Sequence, residues 1–261
     1  MSGTSRRYWD AVAGTYQGTT HIRLDDFHYG PLVPGDRKLG LLPQPLAGRR
    51  CLELGCGGAQ NSIYLAAQGA RCTACDLSGG QLAAARRLIR ESRTTVDLVQ
   101  ADLDHLPFRS EPSFDLVHSS YALPFVQAPE QVVREAARRL LPGGVLLLST
   151  AHPLAMGEWV ELDAGETGIF TRNYFQPEPD QRREGDAEET CRAVPISDLF
   201  DWCRAAGLVV EHLLEPRPPP RHRLDDRALR EQAPYWSEDW LAQRDELSRI
   251  PFLVVIRAVK P

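Results

Sequence analysis

The chain has 261 residues, a formal net charge of -5, 43% hydrophobic residues and six cysteines, with charges of both signs mixed along its length. A chain of this size buries enough surface to hold a core without disulfides or a structural metal, so one large domain, or one domain with an embellishment, is expected. No apolar run approaches the roughly 18 residues of a membrane span, residues 1–7 lack a signal peptide's apolar stretch, and the mild acidity argues against a phosphate-tracking surface; a cytoplasmic protein with no membrane span and no nucleic-acid partner is the expectation.

Residues 1–46 read as an N-terminal cap segment. Tyr8, Trp9, Val12, Ala13 and Tyr16 recur there at helical spacing, before a loop-like stretch around Phe27-His28-Tyr29-Gly30-Pro31. The main domain, 47–261, opens with the strand Cys51-Leu52-Glu53-Leu54 and a helix through Ile63 and Ala67. A strand from Cys72 to Cys75 and a helix carrying Leu82, Ala85 and Ile89 follow. The alternation continues through Val96 to Val99, Phe114 to His118, a helix with Val132, Val133, Ala136 and Leu140, and the run Val145-Leu146-Leu147-Leu148. Strands of nearly continuous apolar character alternating with amphipathic helices predict a parallel sheet covered on both faces. From Ala151 to Val194 the rhythm breaks into a Gly-, Pro- and charge-punctuated insertion containing Trp159, Phe170, Tyr174 and Phe175. Ser197 then offers a cap for a helix with Leu199, Phe200 and Cys203. A strand over Leu208 to Leu214, a Pro/Arg stretch, a short helix near Ser237 to Leu247 and a last strand, Phe252 to Val259, complete the chain.

The cysteines allow two readings. Cys72-x-x-Cys75 has the spacing of half a zinc site, but no second pair matches it and both residues lie in a predicted strand, so buried free thiols are expected.

The chemistry concentrates at strand ends. Leu52-Glu53-Leu54-Gly55-Cys56-Gly57-Gly58 follows the first strand and opens a helix, where absent Cβ atoms let backbone amides approach a ligand. A dinucleotide fingerprint would need glycine at position 60, which is Gln60. Asp76 closes the second strand, where a carboxylate can accept both ribose hydroxyls of an adenosine; as a cap for the next helix it is less well placed than Ser78. Ala101-Asp102-Leu103 follows the third strand, where a carboxylate and apolar flanks can pin an adenine. Any one of these is ordinary, but three at successive strand ends are not.

Together these motifs resemble the class I S-adenosylmethionine (SAM) dependent methyltransferases, strongly over residues 48–150. Glu53-Leu54-Gly55-Cys56-Gly57 is similar to the family's first motif, Asp76-Leu77-Ser78 to its ribose-binding strand end, and Asp102 to Phe108 to its adenine-side motif. Phe114 to Ser120 resembles the fourth strand, and Leu140-Leu141-Pro142-Gly143-Gly144 the turn before the fifth. The resemblance implies a Rossmann-like three-layer α/β sandwich with a mostly parallel seven-stranded sheet in the order 3-2-1-4-5-7-6, an N-terminal helical cap and an insertion after strand 5. It also implies that Glu53, Gly55, Cys56 and Gly57 line the methionine and ribose end, that Asp76 holds the ribose with Leu77 against the adenine, that Gln81 joins this site, and that Asp102 and Leu103 flank the base. The backbone around Ser119 would receive the amino group, and Tyr16 matches a tyrosine near the methionine moiety. SAM, leaving as S-adenosylhomocysteine, is the implied cofactor; no metal is expected.

Methyl transfer to an alcohol or phenol benefits from a base. His152, after the fifth strand, and His28, in the cap, are the candidates, whereas His118 reads as strand packing. Segments 151–195 and 216–250, with the cap, are expected to form the acceptor pocket. Phe27, Tyr29, Trp159, Phe170, Tyr174 and Phe175 suggest a partly apolar small-molecule substrate, as in the UbiE-like branch that includes small-molecule methyltransferases of specialised metabolism. A nicotinamide oxidoreductase, a SAM-binding protein without methyl transfer, and a protein or RNA methyltransferase are the alternatives.

Overall fold

The computed structural model describes residues 2–108, 111–163, 166–218 and 231–261. Helix α1 (Ser2–Thr19) precedes a central sheet of seven strands: β1 (Arg50–Leu54), β2 (Arg71–Asp76), β3 (Val96–Gln100), β4 (Phe114–Ser120), β5 (Leu140–Ala151), β6 (Val209–Leu214) and β7 (Leu253–Val259). Their spatial order is 3-2-1-4-5-7-6, as expected from the resemblance. Strands β1 to β5 pair in parallel, while β7 runs antiparallel to both β5 and β6, which leaves β6 as the edge. Helices α2 (Gln60–Ala67), α3 (Gly79–Ser92), α4 (Pro129–Arg139) and α5 (Ile196–Ala205) cover the faces.

Period-two alternation splits the apolar strand residues between two cores. Cys51, Leu116, Val145, Leu147 and Val255 face one layer with Ile63, Leu65 and Leu82; Leu52, Val117, Leu146, Leu148 and Ile256 face the other with Val132, Val133 and Leu199. All six cysteines are free and buried.

Four local details depart from the expected pattern. Residues 27–46 are part of the first core rather than of a separate cap: Phe27, Tyr29, Leu32, Val33, Leu41 and Leu42 are buried there. Buried Asp36 fixes this stretch by accepting from the Tyr29 hydroxyl and the Leu41 and Leu42 amides. Ser197 lies inside α5, whose first turn starts after Pro195 with no side-chain cap; proline's fixed φ pre-sets that turn. The insertion is not irregular but forms two antiparallel ribbons, Glu158–Glu161 with Thr167–Phe170 and Asp180–Glu184 with Ala187–Cys191. Further along, Tyr235–Trp236 pairs with His21–Ile22, and the short helix expected near Ser237 to Leu247 is present as two short helices, Glu238–Ala242 and Arg244–Leu247. Of the expected pocket segment 216–250, residues 219–230 lie outside the described residues.

Candidate cofactor and acceptor site

The carboxyl ends of β1 to β4 open into a cavity that reaches solvent and is roofed by α1. The glycines at its base have different reasons to be glycine. Gly55 has φ +70°, and a Cβ there would lie 2.3 Å from the Ala122 Cβ; Gly57 has φ +52°, and a Cβ there would meet only the Gln81 and Gln17 side chains at ordinary contact distances of 3.7 and 3.8 Å. The Gly57 amide donates to Asp76 Oδ2 (2.8 Å) and the Ser78 amide to Oδ1 (2.9 Å), so the loop after β1 and the end of β2 hold each other. Burial raises the Asp76 carboxyl above its ordinary range, and these amides oppose the rise. An ionised carboxylate accepts about four hydrogen bonds, so Asp76 retains capacity for a diol.

Ser78 caps α3 by accepting from the Gln81 amide, leaving Asp76 free of that task. Asp102 starts the short turn Leu103–His105 and accepts from the Asp104 amide (3.0 Å). Glu53 takes the Ser62 amide and hydroxyl on one oxygen (3.1 and 2.5 Å); burial, opposed by those bonds, pushes its carboxyl up to about 7. Burial likewise holds the Cys56 thiol far above its usual range, hence protonated.

Helix α1 closes over this floor through named polar contacts. Asp10 accepts from the Ser78 hydroxyl (2.7 Å) and the Gly80 amide (3.1 Å). Gln17 donates to Gln81 (2.8 Å) and accepts from Gln60 (3.0 Å). The Tyr16 and Tyr235 hydroxyls share a 2.7 Å hydrogen bond.

Tyr16, His28, Glu53, Gly55, Cys56, Gly57, Asp76, Leu77, Gln81, Asp102 and Leu103 therefore all line one cavity. Two expected residues do not. Ser119 is spent inside the sheet, donating to the Leu54 carbonyl (2.8 Å), and its successors Ser120 and Tyr121 reach the cavity instead. His152 is also absent from the lining. Its Nδ1 accepts from the Leu154 amide (3.1 Å) and its Nε2 lies 3.1 Å from Glu215, so the ring caps the turn Pro153–Met156 rather than facing an acceptor. His118 is fully buried as packing, against Phe27, with neither ring nitrogen partnered.

The aromatic wall also differs from the expected one. Phe27 and Tyr29 lie in the core, and Phe170 and Phe175 are exposed; none of the six aromatics expected there lines the cavity. The wall consists of Trp9, Tyr16, Tyr121, Phe125, Tyr235 and Trp240, with Arg182 from the second ribbon. Tyr121 has φ +64°, an uncommon conformation for a bulky residue, at the turn that carries it past β4 into the cavity. No sequence periodicity marks Tyr235 or Arg182, since each reaches the site through long-range pairing.

His28 is held by its backbone: its amide donates to Asn61 Oδ1 (2.9 Å), and its carbonyl accepts from Asn61 (3.0 Å) and Ser120 (2.9 Å). Its buried Nδ1 has no hydrogen-bond partner, and burial pulls its pKa down to about 3. Among the described residues no cluster of three or more His, Cys, Asp or Glu could hold a metal, and no helix is long and apolar enough to cross a membrane.

Carboxylates at successive strand ends beside a glycine cradle bring the residues of an adenosine-type site together in one cavity of an α/β fold. Residues 52–148 match the family described as "Methyltransferase domain". Over 216 residues the chain is 36% identical to a ubiquinone biosynthesis O-methyltransferase of Aromatoleum aromaticum, covering 82% of each. A like-named enzyme of Xanthomonas oryzae is 40% identical over 107 residues, 41% of this chain and 45% of that one. The solved structure of a SAM-dependent methyltransferase from Mesorhizobium loti is similar at a TM-score of 0.65 and 26% identity, covering 85% of this chain and 95% of that one. The chain belongs to the class I SAM-dependent methyltransferases. It is a SAM-dependent enzyme that methylates small molecules.

Proposed function

We propose that the acceptor is a small, flat, largely apolar molecule methylated on a hydroxyl oxygen, with His28 as the base. The observation that carries this reading is the neutral imidazole of His28, with a buried, unpartnered Nδ1, in the wall of the same cavity as the adenosine-side carboxylates. The O-methyltransferase relatives support the oxygen acceptor, and the aromatic wall supports a flat substrate.

Asp76 binds the ribose hydroxyls, Leu77 and Leu103 hold the adenine faces, Asp102 takes its edge, and Glu53 with the Gly55–Gly57 backbone lines the remainder of the nucleoside end. When bound, SAM supplies an electrophilic methyl group on a sulfonium sulfur. Trp9, Tyr121 and Phe125 exclude water from the acceptor and fix its plane, which converts a bimolecular encounter into an aligned one. His28, seated against the Tyr235 ring at 5.3 Å between centroids, takes the hydroxyl proton as the oxygen forms its new bond. Burial keeps the ring uncharged at neutral pH but also weakens it as a proton acceptor, so the proton moves as the oxygen–methyl bond forms rather than ahead of it. Product leaves as the methyl ether with S-adenosylhomocysteine, and turnover needs no added Mg²⁺.

The test is recovery of product from a panel of phenols and catechols with SAM labelled in its methyl group. The expected label is on oxygen, and turnover survives dialysis against chelator. His28→Asn lowers kcat about a hundredfold without moving S-adenosylhomocysteine affinity. Protonation of His28 contributes no fall in wild-type kcat/KM between pH 7.5 and 5.5, because burial holds its pKa down to about 3; a change across that range is expected only from Glu53, whose carboxyl is pushed up to about 7. A label on carbon or nitrogen, or full activity in His28→Asn, overturns this assignment.

A further inference from the structure

Arg182 is the one cationic side chain lining the cavity among the described residues, and nothing in methyl transfer itself calls for it. It sits on the ribbon Asp180–Glu184, inside the insertion. Its Nε donates to Asp180 Oδ2 (2.8 Å), which fixes the plane of the guanidinium. Its Cζ lies over the Phe125 ring, 5.4 Å from the centroid, and Phe125 is itself braced edge-on by Trp9 at 5.1 Å. The four terminal N–H donors have no acceptor among the described residues. Glu189, which also faces α1 from the paired strand, is already used: its carboxylate accepts from the Ser5 hydroxyl and the Thr190 amide.

The cavity is thus polarised. Its carboxylates, Glu53, Asp76, Asp102 and Asp104, come from the strand ends or the turn after them, and Asp104 is occupied by the Gln127 and Ala128 amides (3.2 and 2.9 Å). Its cation comes from a different element, the ribbon Asp180–Glu184. A guanidinium held over an aromatic ring at cation–π distance and oriented through Nε presents its remaining donors as a fork, the geometry that suits a carboxylate or another planar anion. A surface-seeking arginine has no need of such bracing.

Resting on the methyltransferase reading, we infer that Arg182 is an anion anchor of this cavity, holding the carboxylate of a bound small molecule. Two molecules could bring that carboxylate: the acceptor, as an acidic substituent on its ring, or the cofactor, in its methionyl tail. The position of Arg182 on the insertion, outside the strand ends that carry the nucleoside-side carboxylates, favours the acceptor.

Calorimetry on the full chain separates the two. S-Adenosylhomocysteine and 5′-methylthioadenosine, which lacks the amino-acid tail, are titrated into wild type, Arg182→Gln and Arg182→Lys. Next, 4-hydroxybenzoate and 4-hydroxybenzamide, with 4-hydroxycinnamate and its amide, are titrated into the S-adenosylhomocysteine complex. The expected result is an acid bound at least tenfold more tightly than its amide by wild type. That ratio falls towards one in Arg182→Gln and is partly restored in Arg182→Lys, while S-adenosylhomocysteine affinity stays unchanged. A tenfold loss of S-adenosylhomocysteine affinity in Arg182→Gln, with methylthioadenosine unaffected, assigns the anchor to the cofactor's carboxylate. If neither the acid-over-amide ratio nor S-adenosylhomocysteine affinity depends on Arg182, the inference is overturned. Failure of wild type to bind S-adenosylhomocysteine would instead undo the reading on which it rests.

Discussion

The two halves of the cavity are built by different rules. The nucleoside half comes from one stretch of chain, β1 to β4, in which each strand delivers its functional residue at its carboxyl end: Gly55 after β1, Asp76 at the end of β2, Asp102 after β3. The acceptor half is assembled from α1, the turn after β4, the ribbon Asp180–Glu184 and the region around Tyr235, which meet only in three dimensions. The first half is backbone and short carboxylates on a rigid sheet; the second is aromatic side chains on peripheral elements joined by hydrogen bonds such as Tyr16 to Tyr235. A sheet edge common to a family thus carries the fixed ligand, and the variable one falls to insertions.

Substitutions in the first half should therefore abolish cofactor binding, and those in the second should leave it largely intact. The largest effect is expected for Asp76→Ala: S-adenosylhomocysteine binding weakens about a hundredfold or more in calorimetry, because charge-assisted bonds to the ribose and to the Gly57 amide are lost together. A change below threefold would show that the carboxylate is not the ribose anchor.

Next comes Gly55→Ala, whose new Cβ would meet Ala122 at 2.3 Å in a left-handed conformation. It should cost about 2–3 kcal/mol in urea unfolding. Gly143→Ala is the control: it has a similar φ of +75° with nothing within 4 Å, so it should cost only about 1 kcal/mol. Equal losses at the two sites would mean that backbone strain, and not the close approach to Ala122, explains Gly55.

The smallest effect belongs to the second half. Tyr16→Phe and Tyr235→Phe should each cost about 1 kcal/mol, and the double variant little more than either, because they share one hydrogen bond. S-Adenosylhomocysteine affinity should move less than threefold. A larger loss in both would join the two halves into one cooperative unit.

The same division explains what could be read in advance. The seven strands and their helices were legible because each buries an apolar run of the right period, and the meeting of Gly55, Asp76 and Asp102 in one cavity because a strand end plus a glycine or carboxylate is a local pattern. Ser119 shows the limit of that reading: a one-residue difference along β4 decides between a side chain inside the sheet and one in the cavity. His152 shows another, since its position after β5 was right for a site, but a capping bond to the Leu154 amide turned its ring elsewhere. The aromatics of the insertion failed as pocket candidates for a different reason. An aromatic in a polar segment is equally compatible with a wall, a core or an exposed ribbon, and Phe175 is 72% exposed.

By itself, then, the sequence determined the layered sheet, its strand order through family resemblance, and which strand-end residues form the floor of the cavity, because these rest on periodicity and on residues close along the chain. Only the tertiary structure decided that residues 27–46 belong to the core, that Tyr121, Tyr235 and Trp240 form the acceptor wall, and that Arg182 faces it. Those placements depend on pairings such as His21 with Trp236, between segments whose separation along the chain carries no local signal.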